Sequence, residues 1–120
     1  MKKVLLSIVF CLAAVSLFSQ DIIGSWSGLL VVPGGQLRVV FNISAAEDGY
    51  SATLDSPDQN AFGIPITSVK LDGKKVTITQ TDLGIEYKGE VKDKSLIEGI
   101  FTQMGQSFDM NLKKEEEEKE

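Results

Sequence analysis

Residues 24–54 read GSWSGLLVVPGGQLRVVFNISAAEDGYSATL, three extended segments separated by two groups of turn-forming residues. Apolar residues recur at every second position in these segments, as at Phe41 and Ile43. A period of two is typical of a β-strand with one buried and one solvated face. Pro33–Gly35 and Asp48–Gly49 interrupt the pattern with residues that favour tight turns. This stretch therefore predicts three antiparallel strands joined by hairpins.

The same alternation continues, with interruptions, as far as Leu112 and gives about eight short strands in total. No segment has the period of an amphipathic helix. The sequence therefore predicts an all-β fold, a small antiparallel up-and-down β-barrel, with a β-sandwich as the alternative. The barrel is favoured because closure removes exposed sheet edges. Gly28, Gly89 and Gly99 can also provide the bends that closure needs.

Residues 1–20 have the pattern of a secretory signal peptide. Lys2 and Lys3 form a basic start, Val4–Phe18 is almost wholly apolar, and polar residues follow. The apolar run is shorter than the roughly 20 residues that span a bilayer. We therefore expect an exported protein, periplasmic or secreted, whose mature chain has no membrane span.

Two further segments complete the predicted organisation. Residues 21–112 are expected to form the β-barrel domain. Residues 113–120 read KKEEEEKE, which contains no apolar residue to bury and is predicted to be a disordered charged tail. Cys11 would be removed with the signal peptide, so the mature domain would fold without a disulfide.

The residue inventory excludes several classes of chemistry. The chain contains no histidine, and its single cysteine lies in the predicted signal peptide. Triads, zinc sites and haem sites built on these residues are therefore excluded, and no catalytic residue, metal or cofactor is assigned. With 17 acidic residues against 12 basic ones, the chain is also a poor candidate for nucleic acid. A carboxylate-based hydrolase stays as an alternative, although Glu86, Glu90 and Glu98 fall on the polar faces of their strands.

The predicted barrel interior is one candidate binding site. An eight-stranded barrel has an interior that side chains just fill or that holds one small ligand. We assign four inward-facing aromatic residues as candidate ligand contacts: Trp26, Phe41, Tyr87 and Phe101. In a barrel with a cavity the expected ligand is a lipid or another small apolar molecule. A filled core is the favoured interpretation, because an interior of this size packs to near-solid density.

The segment 55–65, DSPDQNAFGIP, is the longest irregular stretch of the predicted domain. Long loops on rigid barrels often carry recognition. Asp55, Asp58, Gln59 and Phe62 are therefore candidate contacts to a protein partner. The alternative is that Phe62 folds back over the barrel mouth.

The start of the first segment carries one family resemblance. Gly24-Ser25-Trp26 resembles the G-x-W opening of lipocalin-like barrels. The resemblance implies that Trp26 plugs one end of the barrel. The sequence departs from the lipocalin pattern because it has no arginine near the last strand to pack on the tryptophan.

A second resemblance covers nearly all of the mature chain. It rests on the strings GSWSGLLVVPGGQLRVVFNIS, DGYSATLDSPDQNAFGIPI and EGIFTQMGQSFDMNLKK. They are similar to the small β-domain that precedes the catalytic domain in a group of exported α/β-hydrolases from Bacteroidetes-type bacteria. The resemblance implies an accessory domain standing alone, with a separately encoded exported hydrolase as its partner.

These observations together predict an exported, non-catalytic β-barrel module with an accessory or binding role. Its target is a protein bound at the segment 55–65 or a small apolar ligand held in the barrel. A secreted enzyme inhibitor is a further alternative, since small rigid barrels can serve that function.

Overall fold

The computed structural model describes residues 22–47 and 49–115. The predicted signal peptide lies outside the described residues. Within them, strands account for most of the chain, and one short 3-10 helix spans Pro57–Gln59. The strands are β1 (Gly24–Val32), β2 (Gly35–Ala46), β3 (Gly49–Ser56), β4 (Ala61–Pro65), β5 (Ser68–Asp72), β6 (Lys75–Gln80), β7 (Ile85–Asp93), β8 (Leu96–Gln103), β9 (Gln106–Asp109) and β10 (Leu112–Lys114).

The strands form one antiparallel sheet that closes on itself. Neighbours in the sheet follow the chain order, and β10 pairs with both β8 and β1. Both β4 and β5 pair with β3, so together they make one interrupted strand. In the same way β9 and β10 both pair with β8 and make an interrupted last strand. The ring therefore has eight strands, and the predicted up-and-down barrel is confirmed over the β-sandwich.

Each interruption is held by a backbone hydrogen bond. Between β4 and β5, the N–H of Ile66 donates to the carbonyl of Ala52, 3.0 Å away. Between β9 and β10, the N–H of Met110 donates to the carbonyl of Gly99 at 2.9 Å. An irregularity of this kind bends a strand and changes its twist without opening the sheet.

The predicted start of the charged tail is wrong for its first two residues. Lys113 and Lys114 lie in β10, where they pair with Ser27 and Trp26 of β1. Strand pairing uses backbone groups, so a charged sequence can close the sheet when its side chains reach solvent or an aromatic face. Residues 116–120 lie outside the described residues.

The barrel has two different ends. The turns after β2, β5 and β7, the start of β1 and the end of β10 all lie at one end, which we call the closed end. The turns after β1, β3, β6 and β8 lie at the opposite end, the open end. The segment that links β3 to β4 is therefore at the open end.

The apolar face of the sheet is buried inside, as the alternation predicts. Phe41 and Tyr87 pack near its centre, with their ring centroids 5.9 Å apart. Gly89 and Gly99 are cross-strand partners on β7 and β8. A Cβ atom at Gly99 would fall 2.7 Å from Cζ of Tyr87 and 2.6 Å from Cα of Gly89. The two glycines therefore leave the space that the Tyr87 ring occupies.

This packing predicts that Gly99→Ala lowers the free energy of unfolding by about 1–3 kcal/mol, because an extra methyl group overfills a tight site. Gly35→Ala is the matched control, since a Cβ atom at Gly35 would meet nothing within 4 Å. The control should be neutral or stabilising by up to roughly 1 kcal/mol. Urea unfolding of the two variants measures the difference, and equal stabilities would contradict the packing described.

Candidate functional site

The closed end is sealed by Trp26, the first of the four candidate ligand contacts. Its side chain is fully buried, and its indole N–H donates to the carbonyl of Ile22 at 2.9 Å. The Nζ atom of Lys114 lies over the ring, 5.8 Å from the centroid. A lysine of the last strand thus places a cation over the tryptophan, and the sequence did not predict this contact because Lys114 was assigned to the tail.

Phe41 and Tyr87 fill the middle of the barrel. Both are fully buried, and the Tyr87 hydroxyl donates a hydrogen bond of 2.7 Å to the carbonyl of Met110. That carbonyl belongs to the break between β9 and β10, so the bond ties the interrupted last strand to the core. Both side chains are part of the core packing, and neither lines the cavity that is described next.

A cavity of about 180 Å³ opens at the open end, and we call it the mouth pocket. Phe101 is the one member of the predicted aromatic set that lines it. Aliphatic side chains form most of the wall, and polar ones come from the loop and strand ends. The lining residues are Leu30, Leu37, Val39, Leu54, Ser56, Gln59, Ala61, Ile64, Leu83, Ile85, Phe101 and Gln103.

The mouth pocket arises from how side-chain size is distributed along the barrel. The bulky aromatic residues Trp26, Phe41 and Tyr87 lie towards the closed end and the middle. Apart from Phe101, the large inward side chains near the open end are leucine, valine and isoleucine, which leave part of the width unfilled. The nearest signal in the sequence is the predominance of aliphatic residues at the inward positions beside the open-end turns, although Phe101 departs from it.

The segment 55–65 is more ordered than the sequence predicts, since Asp55 belongs to β3 and residues 61–65 form β4. The carboxylate of Asp55 accepts bonds from the N–H of Gly63 at 2.8 Å and from Nδ2 of Asn42 at 3.1 Å. This carboxylate therefore braces β3 against β4. The Asp55 carboxylate thus makes its hydrogen bonds within the barrel itself.

The helical turn that follows is braced in the same way. Oδ2 of Asp58 accepts a 2.9 Å bond from the N–H of Arg38, and Oε1 of Gln59 accepts one of 2.7 Å from the Ser56 hydroxyl.

Phe62 differs from these three residues, because its side chain is 62% exposed and is not among the residues that line the mouth pocket. The alternative that Phe62 folds back over the mouth is therefore wrong.

The acidic residues are spread over the outside of the barrel. Glu86, Glu90 and Glu98 are all exposed, and Glu90 lies 3.6 Å from the ammonium group of Lys92. In residues 22–47 and 49–115, no group of three or more histidine, cysteine, aspartate or glutamate side chains is placed to hold a metal ion. Within the same ranges, no helix is long and apolar enough to cross a membrane.

Comparison of the chain with protein-family models, with curated proteins and with solved structures finds no match. The resemblance to the β-domain of exported hydrolases therefore stays a prediction. The case for a function rests on the geometry of the barrel.

The buried Tyr87 hydroxyl makes the free energy of unfolding depend on pH in the alkaline range. Burial raises the pKa of Tyr87 above the ordinary tyrosine value, and the negative charge of Glu98 raises it further. The unfolded chain ionises this group near pH 10, whereas the folded chain keeps its proton. The ionisation of Tyr87 should therefore leave the free energy of unfolding unchanged below about pH 9. Above pH 10 it should lower this free energy, by up to roughly 1.4 kcal/mol per pH unit.

Urea unfolding of wild type and Tyr87→Phe between pH 8 and pH 11 measures this effect. At pH 8 the variant should be less stable by about 1–3 kcal/mol, since the Met110 carbonyl loses its partner inside the core. Above pH 10 the wild type should lose stability more steeply than the variant. Parallel pH profiles for the two proteins would contradict the burial of this hydroxyl.

Proposed function

We propose that this protein is an exported, non-catalytic binding module that takes a small apolar ligand into the mouth pocket. The observation that carries the proposal is an open cavity with mostly aliphatic walls at one end of an otherwise filled barrel. Apolar cavities of roughly 150 Å³ bind benzene or xenon, whereas drug-sized ligands need about 300 Å³ or more. A volume of about 180 Å³ therefore suits a single ring or a short alkyl group.

The polar groups of the mouth pocket narrow the class of ligand. Ser56, Gln59 and Gln103 can offer hydroxyl and amide groups, and no charged residue lines the cavity. A buried ligand charge would therefore have no counter-ion. The best ligand is neutral, with an apolar body and one hydrogen-bonding group directed towards the polar side chains.

The remaining parts of the proposal rest on the sequence and on where the acidic residues lie. The pattern of residues 1–20 supports export. A non-catalytic role is supported by the lack of histidine in the chain and by the placement of Glu86, Glu90 and Glu98 on the outer surface, away from the mouth pocket.

A titration of the mature protein with 1-hexanol, followed by NMR of its methyl groups, tests the mouth pocket. Methyl signals of Leu54, Ile64 and Ile85, which line the cavity, should shift in a saturable way. Those of Ile22 and Ile97, fully buried outside the cavity, should not. Uniform small shifts without saturation, or no shifts, would contradict the proposal.

A blocking variant completes the test. Ala61→Phe should place a ring in the mouth pocket and weaken hexanol binding at least tenfold, because Ala61 lines the cavity. Ala45→Phe is the control, since Ala45 is exposed on β2 near the closed end. Equal hexanol binding by both variants would show that the ligand sits elsewhere.

A second candidate function is docking of a protein partner through Phe62, and the geometry of the segment 55–65 favours it. Asp55 and Asp58 hold this segment rigid through hydrogen bonds, and Phe62 stands exposed on it. A rigid, exposed aromatic residue is a frequent anchor in protein interfaces. A separately encoded exported hydrolase, or an enzyme that the barrel inhibits, is the partner that this candidate proposes.

Native mass spectrometry of the protein purified from an envelope extract tests this second candidate. A stoichiometric protein partner should accompany wild type and be lost from Phe62→Ser. The substitution should leave the stability within roughly 0.5 kcal/mol, because Phe62 is mostly exposed. Met104→Ser is the control, since Met104 is 79% exposed on another open-end turn. Retention of the partner by Phe62→Ser would reject docking through this residue.

A further inference from the structure

A hollow of about 420 Å³ lies on the outer face of the barrel, and we call it the β1 hollow. Its lining residues are Ser27, Gly28, Leu29, Arg38, Asn111 and Lys113. Ser27 and Leu29 occupy outward positions of β1, because they alternate with the buried residues Trp26 and Leu30. None of the six lining residues lines the mouth pocket, so the β1 hollow is a separate site.

Two cationic side chains reach the β1 hollow from opposite sides of β1. In the sheet, β1 lies between β2 and β10. Arg38 of β2 is the cross-strand partner of Leu29, and Lys113 of β10 is the cross-strand partner of Ser27. Cross-strand partners project from the same face of a sheet, so the guanidinium and ammonium groups both belong to the outer face. The β1 hollow thus has a positive charge on each side.

The other lining residues add neutral hydrogen-bond donors. Ser27 can offer a hydroxyl group, and Asn111, in the break between β9 and β10, can offer a side-chain amide. Among the described residues, no aspartate or glutamate lines the β1 hollow. Two cations and two neutral donors without a carboxylate are a donor set that suits an anion.

A second hollow on the outer face shows that this charge pattern is not general. It measures about 330 Å³ and extends over β6, β7 and β8. Lys75 and Lys88 line it together with Glu90 and Glu98, so its charges balance. The net charge of the whole chain is −5, and a hollow lined by cations alone runs against that excess. Of these two hollows, the β1 hollow is therefore the one that attracts an anion.

One of the two cations is held by a carboxylate that can be exchanged. Nη2 of Arg38 lies 3.0 Å from Oε2 of Glu115, and both side chains are partly exposed. Exposed ion pairs of this kind contribute little stability. The backbone N–H of Glu115 bonds to the carbonyl of Ser25 at 2.8 Å, so the strand stays paired when the carboxylate moves away. Within residues 22–47 and 49–115, Lys113 makes no ion pair.

We propose that the β1 hollow binds a phosphate group, carried by a small phosphate monoester or by a phospholipid headgroup. A phosphate monoester has nearly two negative charges at neutral pH, which matches the two charges of Arg38 and Lys113. Its oxygens can also accept hydrogen bonds from Ser27 and Asn111. A carboxylate has one charge and two oxygens, so it would leave part of this donor set unused.

An NMR titration of the mature protein with glycerol 3-phosphate at pH 8 and low salt tests the site. Amide signals of Ser27, Leu29 and Lys113, which line the β1 hollow, should shift in a saturable way. Those of Thr77 and Ile100, which line the second hollow, should not. Equal shifts at the two hollows, or no saturation at the β1 hollow, would overturn the proposal.

Lys113→Gln should weaken the binding of glycerol 3-phosphate at least fivefold, because it removes the cation that has no ion-pair partner in the described residues. Lys92→Gln is the matched control. It removes the same charge, but Lys92 pairs with Glu90 at 3.6 Å and does not line the β1 hollow. The control should bind nearly as wild type does. Equal weakening by the two variants would mean that only net charge matters, against the proposed site.

Glu115→Gln should act in the opposite direction and strengthen binding at least twofold. It removes the carboxylate that competes with the phosphate group for Arg38. Glu86→Gln changes the net charge by the same amount at an exposed position of β7 outside the β1 hollow. An equal effect of the two substitutions would contradict the exchange at Arg38 and reject the hollow as the binding site.

Vesicle sedimentation identifies the source of the phosphate group. Phosphatidylcholine vesicles with and without phosphatidic acid are compared, for wild type and Lys113→Gln. Binding that needs both phosphatidic acid and Lys113 assigns the site to a lipid headgroup. Binding of glycerol 3-phosphate without vesicle binding assigns it to a small monoester. A lack of Lys113-dependent binding in both arms would overturn the proposal.

The acidic residues 116–118 of the same chain are the competing occupant, and they lie outside the described residues. A variant that combines Glu116→Gln, Glu117→Gln and Glu118→Gln tests them. Phosphate binding by this variant but not by wild type would overturn the proposal in favour of the chain's own tail. Hexanol binding by Lys113→Gln should stay unchanged, so the β1 hollow and the mouth pocket can fail independently.

Discussion

The barrel depends on the hydrogen bond between the Tyr87 hydroxyl and the Met110 carbonyl. The last strand must reach both β8 and β1 to close the sheet, yet it is broken at Met110. A backbone carbonyl at such a break, facing an apolar core, would be costly without a donor. Tyr87 of β7 supplies the donor across the intervening strand β8, and Gly89 and Gly99 leave the room that its ring needs.

The break at Met110 divides the barrel into a lower half, towards the closed end, and an upper half, towards the open end, and the two halves are packed differently. Below the break, β10 pairs with both neighbours, and Trp26, covered by Lys114, seals the closed end. Above it, β9 pairs with β8 alone, and the mostly aliphatic inward side chains leave part of the width unfilled. The mouth pocket lies in this upper half.

The sequence predicts the fold well because period-two alternation directly reports which residues face inward. It predicts eight strands correctly because each interrupted strand reads as one segment. It misses Lys113 and Lys114, whose charges hide a strand that pairs with β1 through backbone groups. It also misses the mouth pocket, since alternation shows the face on which a residue lies but not how closely side chains at one level fill the barrel. The exposure of Phe62 likewise depends on hydrogen bonds between residues distant in sequence, such as Asp58 to Arg38.

Native-state hydrogen exchange at the amides of Lys114 and Glu115 tests barrel closure most directly. These amides bond to the carbonyls of Ser95 and Ser25, one on each side of the last strand, and Thr67, bonded to Thr79, serves as the reference. In wild type, all three should be protected; in Tyr87→Phe, Lys114 and Glu115 should lose more protection than Thr67. Unprotected Lys114 and Glu115 amides in wild type, or an equal loss at all three in the variant, would contradict a barrel closed through Tyr87.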